Sequence, residues 1–139
     1  MTNAPLPYSA WNVDEYDFPR QGTLEEKLKF LLNYAVLAPS LHNSQPWKFT
    51  VHAAEIRVHA DLTRQLRVAD PDARELYISV GCALENLLTA ATYFGLSASV
   101  AYFPDPKNEL WVATVTFKDN KGTVALTDQE RFHAIVLPA

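Results

Sequence analysis

Cysteine is almost missing from this chain. Its one copy in 139 residues, Cys82, excludes an internal disulfide and any cysteine-built zinc site. Basic residues are also scarce: 12 Lys and Arg stand against 16 Asp and Glu, the net charge is −4, and no Lys/Arg cluster offers a nucleic-acid surface. No apolar run approaches the ~20 residues that a membrane-spanning helix needs. The opening "MTNAPLPYSAWNVDEYDFP" lacks the basic then apolar regions of a signal peptide, so a cytoplasmic protein without membrane or nucleic-acid partners is expected. Glycine occurs four times and proline nine, the prolines mostly where elements should end. What is abundant is apolar: 48% of residues, against 20% charged, in a length that suits one globular domain.

Residues 1–22 show no period and read as an irregular arm, able to lie on another surface through Tyr8, Trp11, Tyr16 and Phe18. The domain proper is expected over 23–139. Thr23 and Glu26 have capping-box spacing, and Leu24, Leu28, Leu31, Leu32 and Ala35 recur as one helical face that Pro39 terminates. "WKFTVH" and "EIRVHAD" predict a hairpin about Ala53–Ala54, with Ile56, Val58 and Ala60 on one face and Arg57 and His59 on the other. A long helix is expected from Pro71 to Phe94, with Asp70 as its cap and Gly95 as its left-handed stop. It is apolar on nearly every side, and the small Gly81, Cys82 and Ala83 predict close approach of a neighbouring backbone there. "SASVAYFP" and "ELWVATVTF" predict a second hairpin, and "TDQERFHAIVLPA" a third helix with Thr127 and Glu130 at capping-box spacing. The order gives an α+β fold, an antiparallel sheet backed by a long buried helix.

The segment "APSLHNSQPWKF" crowds uncharged hydrogen-bonding side chains between Pro39 and Pro46, which fix the backbone at both ends. Ser40, Asn43, Ser44 and Gln45 could address a neutral heteroaromatic edge, such as a flavin or pteridine ring. They could equally tie the loop to its own backbone, as turn residues do. The chemistry of the residues leaves both readings open.

"APSLHNSQPWKF" resembles the signature of the FMN-dependent nitroreductase family, and "DPDARELYISVGCALENLLTAATYFGL" resembles its following helix, so the resemblance covers residues 24–117. The "HN" of the loop, "VADPDARELYIS" and "YFPDP" point to the Acg-like branch, of which this chain resembles the first half only. The resemblance implies a nitroreductase-like half-fold, truncated at its C-terminus, with FMN at an interface between two halves. Residue by residue it nominates Pro39, Ser40, Leu41, His42 and Asn43 as flavin-contacting, while Gln45 and Trp47 brace the loop. It implies hydride transfer from NAD(P)H through FMN to a nitro compound or quinone, with no catalytic side chain, because the cofactor carries the chemistry. The alternative is a flavin-free or flavin-sequestering, self-associating half-domain without enzyme activity. The family's Arg-rich phosphate box has no counterpart; Arg20 stands alone, and Arg57, Arg64, Arg67 and Arg74 are the remaining candidates for the phosphate. A homodimer is expected, each copy standing in for the other's second half.

Other constellations are weaker. His52 and His59 lie on paired strands and could face one another, but two histidines without a carboxylate make a poor metal site. Ser40 and His42 are too close in sequence for a nucleophile and its base, and Cys82 reads as a small buried hydrophobe.

Overall fold

The computed structural model describes residues 12–121 and 129–136. The first helix, α1 (Leu24–Ala35), begins where the capping box puts it. Thr23 Oγ1 accepts from the Glu26 N–H at 3.2 Å, and Glu26 Oε2 accepts from the Thr23 N–H at 2.8 Å. Its Leu28, Leu31 and Ala35 are buried. Strands β1 (Trp47–His52) and β2 (Glu55–Ala60) form the expected hairpin, with Ala53 of the tight turn at φ 51°. Ile56, Val58 and Ala60 face the core while Arg57 is exposed, as strict alternation requires.

The long helix α2 (Arg74–Tyr93) starts three residues later than the sequence suggests, because Ala73 adopts a left-handed φ of 57° and Pro71 belongs to the preceding turn. Asp70 nevertheless caps it across that turn: its carboxylate accepts from the Glu75 N–H at 3.1 Å and the Leu76 N–H at 2.9 Å. Gly95, at φ 81°, follows the helix as the left-handed stop. The chain then forms β3 (Leu96–Tyr102) and β4 (Trp111–Asp119). The two hairpins join through β2 and β4, Ile56 opposite Val115, in an antiparallel sheet of order β1-β2-β4-β3. The last helix, α3 (Gln129–Val136), lies against α2, while Thr127 of its expected capping box lies outside the described residues.

One face of the sheet and α1 enclose α2 through Leu76, Val80, Ala83, Leu84, Leu87, Ala90 and Ala91, all buried. Gly81 does not take part. It is exposed, and a Cβ added there would meet nothing within 4 Å, so the close approach expected at Gly81 is corrected. The reason is helical phase: Ile78, Gly81, Glu85 and Thr92 fall on one outward stripe, whereas Ala83, Ala90 and Ala91 face the neighbours. Two polar contacts fix α1 at its ends. Asn86 Nδ2 of α2 donates to the Tyr34 carbonyl at 3.2 Å, and Lys27 Nζ meets Asp119 Oδ2 at the end of β4 at 2.6 Å. An aromatic cluster of Phe18, Phe30, Tyr34, Phe94, Tyr93 and Phe132 fills the end of the core, with Tyr93 and Phe132 stacked at 3.8 Å.

Gly81→Ala is expected to stabilise the fold by about 0.5–1 kcal/mol, the helix-propensity difference at an open site, whereas Ala90→Leu should cost about 1–3 kcal/mol by overpacking. Chemical denaturation of both variants checks this. The Asp119 carboxyl is held below its ordinary value of 3.8, first by the Lys27 ammonium and then by the Lys121 N–H, against the opposing effect of burial. A depressed carboxyl stabilises the fold above its unfolded value, and that contribution disappears as the pH falls through the folded value. Asp119→Asn should therefore lower stability by about 1.5–3 kcal/mol at neutral pH and less below pH 3.8, read as melting temperature against pH.

Candidate functional site

The Pro39–Gln45 loop leaves α1 where the helix is best anchored. The Val36 N–H donates to the Leu32 carbonyl at 3.2 Å, and Ala38 is buried. Ser40 is extended, and a single tight turn follows, with the Asn43 N–H on the Ser40 carbonyl at 3.0 Å and the Ser44 N–H on the Leu41 carbonyl at 3.1 Å. Inside it His42 and Asn43 have φ values of 50° and 53°, and Gln45 one of 49°. Left-handed backbone costs a non-glycine residue about 1–2 kcal/mol, so three such residues in four need strong bracing.

The bracing is visible. Ser40 Oγ accepts from the Gln45 N–H at 3.0 Å, and Gln45 Nε2 donates to Asn43 Oδ1 at 3.1 Å. Pro46 and Trp47 are buried, and the Pro46 carbonyl accepts from the Asp61 N–H at 2.9 Å. Arg64 Nη1 donates to the Ser44 carbonyl at 3.2 Å. Gln45 thus braces the loop as its sequence suggests, although its amide bonds the Asn43 side chain and not the backbone. Ser40 is half-buried with its oxygen engaged in the brace. Pro39, His42 and Asn43 are exposed, and among the described residues Asn43 Nδ2 and the His42 imidazole make no hydrogen bond.

A second segment stands beside the loop. His42 shares a shallow concavity of about 450 Å³ with Gln65, Leu66, Arg67, Val68 and Ala69. This segment is held by two buried carboxylates. Asp61 Oδ1 accepts from the Thr63 hydroxyl at 2.6 Å and the Thr63 N–H at 3.1 Å, with Lys48 and Arg64 at 3.6 Å. The Thr63 hydroxyl contributes most to keeping the Asp61 carboxyl below the ordinary aspartate range, against its burial. Asp70 anchors the other end at the start of α2, while Gln65 Nε2 donates to the Asp70 and Pro71 carbonyls. Between these anchors Arg67 and the fully exposed Val68 point to solvent. Only the tertiary fold brings residues 65–69 to the loop.

The arginines nominated by sequence separate. Arg67 shares the concavity, and Arg64 ties the loop. Arg57 lies on the outer sheet face, bound to Glu55 at 2.8 Å and over the Trp111 ring at 5.0 Å. Arg74 is exposed at the first residue of α2. The two strand histidines do not face one another: His52 pairs with Glu55 and His59 with Lys48, because the two-residue turn sets the register. His59 stacks on Trp111, and burial, then Arg57 and Lys48, push its imidazole below the ordinary value. No group of three or more metal-ligating residues exists among the described residues. Cys82 is a half-buried free thiol on α2.

The loop therefore presents unused donors on a strained, braced backbone, with an arginine at its side and open space before it. His42→Gly is expected to stabilise the protein by about 0.5–1 kcal/mol by relieving left-handed strain, and Ser40→Ala to destabilise it by about 1–2 kcal/mol by orphaning the Gln45 N–H. Urea midpoints of the two variants, moving in opposite directions, check the strain and the brace separately.

No family model matches the chain. A Mycobacterium tuberculosis (strain ATCC 25618 / H37Rv) protein named "Putative NAD(P)H nitroreductase Rv3131" is 41% identical over 90 residues, covering 65% of this chain and 26% of that protein. "Putative NAD(P)H nitroreductase acg" of the same strain is 33% identical over 90 residues, covering 65% and 27%. "Probable NAD(P)H nitroreductase PigM" of Serratia sp. (strain ATCC 39006) is 37% identical over 75 residues, covering 52% and 21%. The chain spans about a quarter of the length of these relatives. Over the matched 65% of its length, the chain is a homologue of acg and other proteins named as NAD(P)H nitroreductases.

Proposed function

We propose that this chain forms part of an FMN-dependent oxidoreductase of nitroreductase type, acting from NAD(P)H on a nitro compound or a quinone. The observation that carries the reading is the 41% identity to a protein named as an NAD(P)H nitroreductase, joined to a loop whose strained, outward donors have no internal use. Bound FMN would supply the redox chemistry, accepting hydride from the nicotinamide and passing it to the acceptor.

The chain's own residues would bind and orient the ring. Asn43, with Nδ2 free and Oδ1 fixed by Gln45, is suited to donate to a ring carbonyl. His42 can serve the same edge, and Pro39 and Leu41 offer apolar contact beside it. Ser40 would act through the brace, by holding Gln45. Arg67 suits the phosphate better than Arg57, because Arg67 shares a concavity with His42 while Arg57 is bound to Glu55. These groups form one wall, so the opposite face of the ring would be covered by a second copy in a homodimer. The outward Ile78, half exposed on α2, and Val68 beside the loop are apolar groups that such a partner would cover. A cytoplasmic setting belongs to the same proposal; among the described residues no helix is long and apolar enough to cross a membrane.

Purified protein supplied with FMN is expected to oxidise NADH or NADPH in the presence of a naphthoquinone or nitroaromatic acceptor. His42→Ala with Asn43→Ala should raise the FMN concentration for half-maximal turnover about thirtyfold, since two lost hydrogen bonds are worth about 1 kcal/mol each. Light scattering at micromolar concentration should give twice the 15.6 kDa chain mass. A flavin requirement unchanged in the double variant would remove the loop from the site, and a stable monomer would remove the shared pocket.

A further inference from the structure

Asp61 stands outside the Pro39–Gln45 loop, directly after β2, and its carboxylate is only 7% exposed. A buried carboxylate is costly unless both of its oxygens are answered. Here they are answered differently. Oδ1 serves the local turn, accepting from the Thr63 hydroxyl at 2.6 Å and the Thr63 N–H at 3.1 Å, with Lys48 Nζ at 3.6 Å. Oδ2 accepts no hydrogen bond among the described residues. It faces Arg64 Nε at 3.6 Å, an attraction of charges beyond hydrogen-bond length. The turn at 62–64 makes no use of that second oxygen.

The same guanidinium reaches the loop, where Nη1 donates to the Ser44 carbonyl at 3.2 Å. On the other side of Gln45, the Pro46 carbonyl accepts from the Asp61 N–H at 2.9 Å. Residue 61 therefore holds the carbonyls that flank Gln45, one directly and one through Arg64. Gln45 is the last of the three left-handed residues, at φ 49°, and its side chain fixes Asn43 Oδ1. Only a planar fork of nitrogens can face the carboxylate with one atom and the carbonyl with another. A lysine at this position would offer a single point charge.

We propose that Asp61 is a positioning residue for the ring-facing loop, acting through Arg64 on Ser44 and thence on Gln45, Asn43 and His42. The proposal rests on the flavin reading of the loop, but the geometry it requires is measurable with no flavin present. Asp61 itself touches no ligand. Its Oδ2 keeps the Arg64 side chain, 57% exposed, turned toward Ser44 and away from solvent. Without that charge the Ser44 carbonyl loses its donor, and the left-handed backbone is free to relax. A carboxylate that served the 62–64 turn alone would act through Oδ1, and the loop would be indifferent to Oδ2.

Asp61→Asn separates the two roles, because an amide keeps one oxygen for Thr63 and turns an N–H donor toward Arg64. Hydrogen exchange of the Gln45 amide, bonded to Ser40 Oγ, reads the loop, and the amides of the central strand β2 read the fold. Asp61→Asn and Arg64→Met should each speed Gln45 exchange about tenfold relative to β2, and the double variant should go no further than either single. FMN affinity by fluorescence titration should fall about tenfold in the same variants. Lys48→Met also removes a cation from Asp61 but touches no loop atom, and it should leave Gln45 exchange within about twofold of the parent. If Asp61→Asn does not fold, the contrast between Arg64→Met and Lys48→Met decides. Unchanged Gln45 exchange in Arg64→Met or in a folded Asp61→Asn would overturn the proposal. So would multiplying effects in the double variant, an equal response to Lys48→Met, or unchanged affinity where the parent binds FMN. A parent that binds no FMN, with the coupled exchange change intact, supports the positioning of the loop and overturns the flavin reading alone.

Discussion

The fold depends on how closely α2 can approach its neighbours. Ala83, Ala90 and Ala91 have no exposed surface, and only side chains that small let α1 and the sheet press against the same helix. Once that contact is made, α1 cannot slide: Asn86 holds its last turn through the Tyr34 carbonyl, and Lys27 holds its first turn to Asp119. Both ends of α1 then become fixed points. The proposed flavin wall starts a few residues past the fixed C-terminal end.

A rigid anchor is what allows the loop to hold an expensive shape. His42, Asn43 and Gln45 occupy left-handed backbone without being glycines, in a chain that has only four glycines to spend on turns. Ser40, Gln45, Pro46 and Arg64 resist the relaxation that such strain would otherwise drive. A turn whose only task was to connect α1 to β1 could use glycine and avoid both the strain and the bracing. Under the proposed function, His42 and Asn43 are the side chains at these positions that address the ring, while Gln45 holds the turn.

Much of this architecture is legible in the residues. The capping box at Thr23, the alternation of Ile56, Val58 and Ala60, and the paired hairpins depend on local chemistry, which sequence records directly. The start of α2 is misread because a left-handed alanine at 73 has no sequence signature, so Asp70 and Pro71 imitate a simple cap. Gly81 is misread because a helix apolar on many sides does not declare its phase; that is set by which stripe α1 and the sheet leave uncovered. Within the site, the loop announces itself by composition and Gln45 is legible as its brace, but nothing in the sequence selects Arg67 from the four candidate arginines. The adjacency of Arg67 to His42 comes from segments distant in sequence, which no local pattern connects.

The account rests on the loop being one wall of a flavin site. The most direct measurement is the visible spectrum of the protein fraction after mixing with excess FMN and removing free flavin by desalting. The account predicts a flavin band that travels with the parent chain and is lost from a folded His42→Ala, Asn43→Ala variant. Colourless parent protein, with all of the flavin in the salt fraction, would contradict it.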